Sequence, residues 1–245
     1  MGKIENRYRD VTASSTIRCL DSAGAAELWR IRLFAVVVFL CLAPAALAAA
    51  PRAADLVQPA LYAESAAVAP GKTLWLDLAL TVAPGWHIYW KNPGDSGLPT
   101  TIDWTLPPGF SAGAIDWPVP ERFSVGGIAN YGYAGAADLL VPITAPAAPE
   151  AGTVHLAALV KYLVCSEICI PGEARLSLDL PAGSGAPDPA QAARFAAARQ
   201  KLPVAAPFAT HFSAGAHDLR LIVPAAALVG LQHPTATFFP DAGNA

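Results

Sequence analysis

Between residues 72 and 181, apolar residues recur at every second position, in short runs that proline and glycine keep interrupting. A period of two turns one face of an extended segment toward a core and the other toward water, so the pattern commits this region to half-buried β-strands. Leu74, Leu76, Leu78, Leu80 and Val82 alternate with Asp77 and Thr81, and Pro84-Gly85 then makes a turn. Trp86, Ile88 and Trp90 share one face of the next segment, with His87 and Tyr89 on the other. Ile102, Trp104 and Leu106 repeat the pattern, Ile115 and Trp117 begin a short strand stopped by Pro118 and Pro120, and Leu139, Val141 and Ile143 form another. Val154 to Val164 is the longest, and Leu176, Leu178 and Leu180 the last. The 23 prolines and 19 glycines disfavour long helices. About seven short strands joined by turns predict an all-β fold, an immunoglobulin-like antiparallel β-sandwich, with a small barrel as the rival.

The flanks differ. Arg30 and Arg32 precede the apolar run Leu33 to Leu42, followed by Pro44 and the small residues Ala45 to Ala50. This is the layout of an export signal over residues 1–50, cleaved after Ala48 or Ala50. The alternative, an uncleaved anchor, needs a span of ~20 apolar residues, and this core is short for that. Leu40 before Cys41 is too bulky for a lipid-attachment box. The sandwich is expected over 51–182. A Pro/Gly/Ala-rich linker with a helix follows over 183–204, the helix running from Asp188 as N-cap and Pro189 as first residue to Lys201. Residues 205–245 read as an incomplete second β unit, either the front of a longer protein or a piece packed on the first domain.

After cleavage, 10 Lys and Arg face 15 Asp and Glu, a net charge of −5 with no basic run, which speaks against nucleic acid as a partner. No Ser-His-Asp set, phosphate-binding glycine loop or outstanding carboxylate pair occurs, so hydrolytic and phosphoryl chemistry find no support. His87, Tyr89, Lys91 and Asp95 suit either acid–base work or a polar strand face running into a loop.

Cleavage also removes Cys19 and Cys41 and leaves Cys165 and Cys169, in VCSEICIPGE, as the cysteines of an exported chain. On one extended strand they would stand about 13 Å apart, too far to bond, so the segment must turn between a strand ending near Val164 and one starting near Ala174. Three readings stay open. A structural disulfide closing so short a loop contributes only about 2 kcal/mol. A metal site would recruit partners such as His87 or His155. A strained, exposed disulfide suits thiol–disulfide exchange.

The stretch Pro84-Gly85-Trp86-His87-Ile88-Tyr89-Trp90-Lys91-Asn92-Pro93-Gly94-Asp95 resembles the N-terminal periplasmic domain of DsbD-type thiol:disulfide interchange proteins, in particular the ScsB-like branch associated with suppression of copper sensitivity. Ile115 to Phe123, Tyr131-Gly132-Tyr133 and Val164 to Glu173 extend the resemblance over roughly residues 55–240. The resemblance implies an immunoglobulin-like domain without a cofactor. Such a domain takes electrons from a membrane-embedded domain and passes them to oxidised thioredoxin-like proteins or disulfide isomerases. It implies that Cys169 forms the mixed disulfide with the partner, that Cys165 resolves it, and that an aromatic cap covers the pair. Phe123 stands where that cap is expected, with Tyr131 or Tyr133 as support. Copper binding by the pair and an inert structural disulfide are the alternatives. The better-known family members have a wider cysteine spacing, and the membrane and thioredoxin-like domains are missing here. No Lys, Arg or His lies within the cysteine loop and Glu167 does, so the thiols are expected to be only modestly activated.

Overall fold

The computed structural model describes residues 50–149, 152–215, 218–225, 229 and 236–241. The expected export signal lies outside the described residues, apart from Ala50. A single helical turn, α1 (Ala53–Leu56), leads into β1 (Val57–Ala63), β2 (Thr73–Val82), β3 (His87–Gly94), β4 (Thr101–Thr105) and β5 (Ser111–Ala112). Then come β6 (Glu121–Val125), β7 (Ile128–Ala134), β8 (Ala136–Thr144), β9 (Thr153–Cys165), β10 (Cys169–Pro181), α2 (Ala192–Gln200), β11 (His211–Ala214) and β12 (Leu219–Ile222).

The strands form two open antiparallel sheets. One has four strands in the order β1-β2-β8-β5, and the other runs β10-β9-β3-β7-β6 with β4 also paired to β9. Leu78, Leu80, Leu139 and Ala137 of the first face Ile88, Trp90, Val160 and Val164 of the second, all buried. Leu74, Leu76, Val141 and Ile143 extend this core to meet Val154 and Leu156. The architecture is the expected immunoglobulin-like sandwich rather than a closed barrel. β11 and β12 form a separate two-stranded ladder.

Several elements differ from the sequence expectation. Residues 113–120 form no ladder strand. Asp116 makes one bridge, its N–H donating to the Leu140 carbonyl at 2.8 Å, before Pro118 and Pro120, which lack donors, end the pairing. β1 contains Pro59, which a central strand would exclude, but β1 is the edge of its sheet. β6 and β7 form a hairpin across Gly126-Gly127, both at positive φ (60° and 88°), a backbone that favours glycine.

The helix also starts later than expected. The Asp188 carboxylate accepts the Ala190 N–H at 2.9 Å in a preceding turn, and α2 begins at Ala192 with no side-chain cap. α2 lies on the outer face of the four-stranded sheet, where Phe195 and Ala198 are buried against Leu140. Arg199 grips Glu64 through both guanidinium nitrogens (2.5 and 2.7 Å), and Lys201 reaches Asp138 at 2.8 Å. Arg194 stacks over Tyr62 and donates to Asp77 at 3.3 Å. Near the end of the chain, Phe239 packs edge-on against Trp90 and Tyr131, and Asn92 donates to the Pro240 carbonyl at 2.8 Å.

Candidate functional site

β9 and β10 form a long hairpin whose register sets Cys165 opposite Cys169, leaving only Ser166, Glu167 and Ile168 as the turn. β9 ends about where the sequence suggested, whereas β10 starts at Cys169 rather than near Ala174, and the Ser166 N–H closes the turn on the Ile168 carbonyl at 3.0 Å. The two sulfurs are bonded, with Cα atoms 4.1 Å apart. The cysteines are not equivalent. Cys165 ends the strand's buried face and is 1% exposed, whereas Cys169 opens an edge strand and is exposed.

β3 supplies the floor beside them. His87 pairs directly with Cys165, and Tyr89, two residues on, projects from the same face. The Tyr89 hydroxyl lies 3.7 Å from Cys169 Sγ. A disulfide sulfur carries no hydrogen, so the phenol donates and the sulfur accepts. Burial pushes the Tyr89 phenol up, against a hydrogen bond from Ser96. The ring is held tightly, because a Cβ at Gly97 would fall 2.3 Å from it. Ser96 is anchored in turn on buried Asn130, whose Oδ1 accepts both its N–H (3.2 Å) and its hydroxyl (3.1 Å).

β6 supplies the roof. Phe123 stacks on the His87 imidazole with centroids 4.6 Å apart and planes 14° from parallel. Tyr89 meets the same imidazole edge-on at 5.3 Å. Phe123, His87 and Trp86 line an open groove of about 800 Å³ with Ser166, Glu167 and Ile168 of the cysteine turn. Phe123 therefore stands over the strand that flanks the disulfide.

Tyr131 and Tyr133 do not join it. Alternation along β7 turns Tyr133 to the core, where its hydroxyl donates to the Pro118 carbonyl at 2.8 Å and burial raises its pKa strongly. Tyr131 packs with Phe239. Neither supports Phe123: it pairs with Asn130 across the ladder and shares that residue's face, whereas Tyr131 and Tyr133 lie on the opposite face of β7.

His87 and Tyr89 are the residues that sequence reasoning left undecided. The open alternative of a polar, solvated strand face fails for both, since His87 is 5% and Tyr89 1% exposed. A titratable residue does adjoin the pair: His87 lies across the ladder rather than within the loop, and burial lowers its pKa and disfavours its cation. Its signal was the place of His87 and Tyr89 on the face opposite the core tryptophans. His155, the other histidine considered as a metal partner, is exposed and pairs with Asp179 at 2.5 Å on the outer part of the β9–β10 hairpin. Among the described residues, no helix is long and apolar enough to cross a membrane.

Comparison with known proteins bears on this site. The N-terminal periplasmic domain of ScsB from Proteus mirabilis is similar, with 26% identity and a TM-score of 0.55, covering 68% of this chain. The chain spans 63% of the length of that ScsB chain. The N-terminal domain of DsbD from Neisseria meningitidis in its reduced form aligns at 14% identity and a TM-score of 0.36, over 56% of this chain and 92% of its own. No curated protein sequence matches. The family described as "Thiol:disulfide interchange protein DsbD, N-terminal" matches residues 54–181, the stretch that builds both sheets and carries the cysteine hairpin, and the chain belongs to that family.

Proposed function

We propose that the chain is a periplasmic thiol–disulfide exchange module that relays one electron pair to an oxidised thioredoxin-like protein or disulfide isomerase, after reduction by a membrane electron-transfer domain. The observation that carries this reading is the asymmetry of the pair: an exposed Cys169 bonded to a buried Cys165 at a hairpin tip. Exchange needs one sulfur that a partner can reach and a second close enough to displace the partner.

In the reduced chain the Cys169 thiolate attacks the partner's disulfide, forming a Cys169–partner bond and releasing one partner thiol. The Cys165 thiolate then attacks Cys169 Sγ and releases the second. The chain ends oxidised, and the partner gains two electrons and two protons. Phe123, stacked on His87, acts as the cap over the Cys165 side of the pair until a partner displaces it, while Cys169 stays within a partner's reach. The redox unit is residues 51–182, with 183–204 and 205–245 as the attached linker and partial β unit.

Cys165→Ala is expected to trap a mixed disulfide between Cys169 and an oxidised thioredoxin-fold protein, detected as a reducible covalent complex. A variant that traps nothing while folding normally would refute the reading. The reduction potential of the pair separates exchange from a structural bond, which would lie below about −300 mV.

A further inference from the structure

The resolving step poses a proton problem. Cys165 is 1% exposed, so bulk water is kept from its thiol, and burial in apolar surroundings holds a thiol protonated. Only its thiolate can attack Cys169. A group on the protein must therefore take the proton.

His87 sits where such a group is needed. It is the direct cross-strand partner of Cys165, a relation that brings Cβ atoms to about 4.5–5.5 Å on one face. Its side chain is almost fully buried, yet its Nε2 finds no hydrogen-bond partner among the described residues. A buried ring nitrogen without a partner is costly unless it has work to do. Phe123 covers one face of the ring and Tyr89 meets it edge-on, leaving the side chain 5% exposed at the groove.

The charged and titratable groups around it are few. Tyr89 faces it from its own strand, and the cysteine pair comes from the β9–β10 hairpin. Glu167 lines the same groove from the turn. β7 sets only Ala134 opposite, and β6 contributes the Phe123 ring. Among the described residues no carboxylate pairs with the imidazole, and burial lowers its pKa, so the ring stands neutral and able to accept.

We propose that His87 is the proton acceptor for Cys165 in the resolving step and returns that proton to the departing thiolate. The step balances: the Cys165 S–H proton moves to the imidazole, the Cys165–Cys169 bond forms, and the Cys169–partner bond breaks. The imidazolium then protonates the leaving sulfur, so no outside oxidant or base is consumed. The inference rests on the exchange reading above.

The test uses the reduced full chain and dithiobis(nitrobenzoate), a symmetric aryl disulfide whose released thiolate is coloured. Release occurs in two phases: attack by Cys169, then displacement by Cys165. His87→Phe keeps an aromatic ring under Phe123 and removes the base. It should leave the first phase within about twofold and slow the second at least about tenfold at neutral pH. The log rate of the variant's second phase should rise with unit slope in pH, whereas the wild-type rate should level off above the imidazole titration.

A His87→Phe second phase with wild-type rate and pH profile overturns the proposal. A wild-type chain that shows no second phase overturns the exchange reading instead, which keeps the two failures distinct. If His87→Phe does not fold, His87→Gln is measured in its place, with the same expectations. If neither folds, the wild-type profile decides. An unbroken unit slope from pH 5 up to the thiol titration overturns the proposal, and an inflection at the imidazole titration supports it.

Discussion

Reducing the Cys165–Cys169 bond should loosen the sandwich only slightly. The sequence separation is 4, so the loop closed by the bond is about as short as a disulfide allows. On the chain-entropy relation, a closed loop of about five residues restricts the unfolded state by roughly 2 kcal/mol at room temperature. The hairpin itself does not need the bond, because β9 and β10 stay paired from Cys165–Cys169 to Thr153–Pro181 and β9 contributes core residues along its length from Val154 to Val164. Urea unfolding of the oxidised and reduced chain should therefore give curves of similar slope whose stabilities differ by about 2 kcal/mol. Thermal midpoints should differ by about 4–8 °C for a unit of this size. A relay needs this result, since its reduced form must remain folded to meet the next partner. A reduced chain that unfolds at room temperature, or loses more than about 4 kcal/mol, would sink both the arithmetic and the exchange reading.

Three further outcomes follow from the geometry. An aromatic stack is worth about 1 kcal/mol, so Phe123→Ala should speed reduction of the disulfide by dithiothreitol about fivefold, and an unchanged rate would remove Phe123 from the cap. Asp77 is fully buried beside Asp138, and burial raises its pKa to about 6 despite Arg194. The folded state therefore favours the protonated acid. Its contribution to stability is full below pH 3.8 and is lost as pH rises past about 6, a change of about 3 kcal/mol. Asp77→Asn should abolish that dependence in chemical denaturation across this range. A Cβ at Gly132 would fall 1.9 Å from the Ile88 carbonyl oxygen, so Gly132→Ala should separate β7 from β3 and destabilise the chain by roughly 2–3 kcal/mol, measured by thermal melting.

The strands with clean alternation were legible in the sequence because their core-facing residues recur at every second position, even where α2 covers Leu140 on the outer face. β2, β8 and β9 bury the residues that the period-two pattern selects. β3 hid its meaning because both its faces are covered: the core takes Ile88 and Trp90, and the cysteine hairpin with its aromatic roof takes His87 and Tyr89. A residue buried by tertiary contacts looks polar in a one-dimensional pattern. β6 and β7 were missed because Arg122, Ser124, Ala129 and Gly132 carry little hydrophobic contrast, and the turn signal Gly126-Gly127 between them went unread. The cysteine pair was legible by elimination. Of the neighbours of its sulfurs, His87 was named only as one possible metal partner, and Tyr89, 80 positions from Cys169 in the chain, was not connected to the pair. Tyr131 and Tyr133 show the converse: the family resemblance placed them beside the cap, and the β6–β7 register turned both to the face opposite Phe123.

The position of β6 has a mechanical consequence. It is the last strand of its sheet, so it is held by one ladder alone, the five pairs from Glu121–Gly132 to Val125–Ile128. Its Gly126-Gly127 tip has open space at both positions where a Cβ would stand. Peeling this strand breaks bonds on one side only and leaves the seam between the two sheets intact. On the cap reading proposed above, uncovering the His87–Cys165 side of the pair is governed by the fraying of a border strip, and not by the stability of the domain as a whole. A mutation could stiffen the sandwich without slowing the encounter with a partner, or unhinge the border without softening the sandwich.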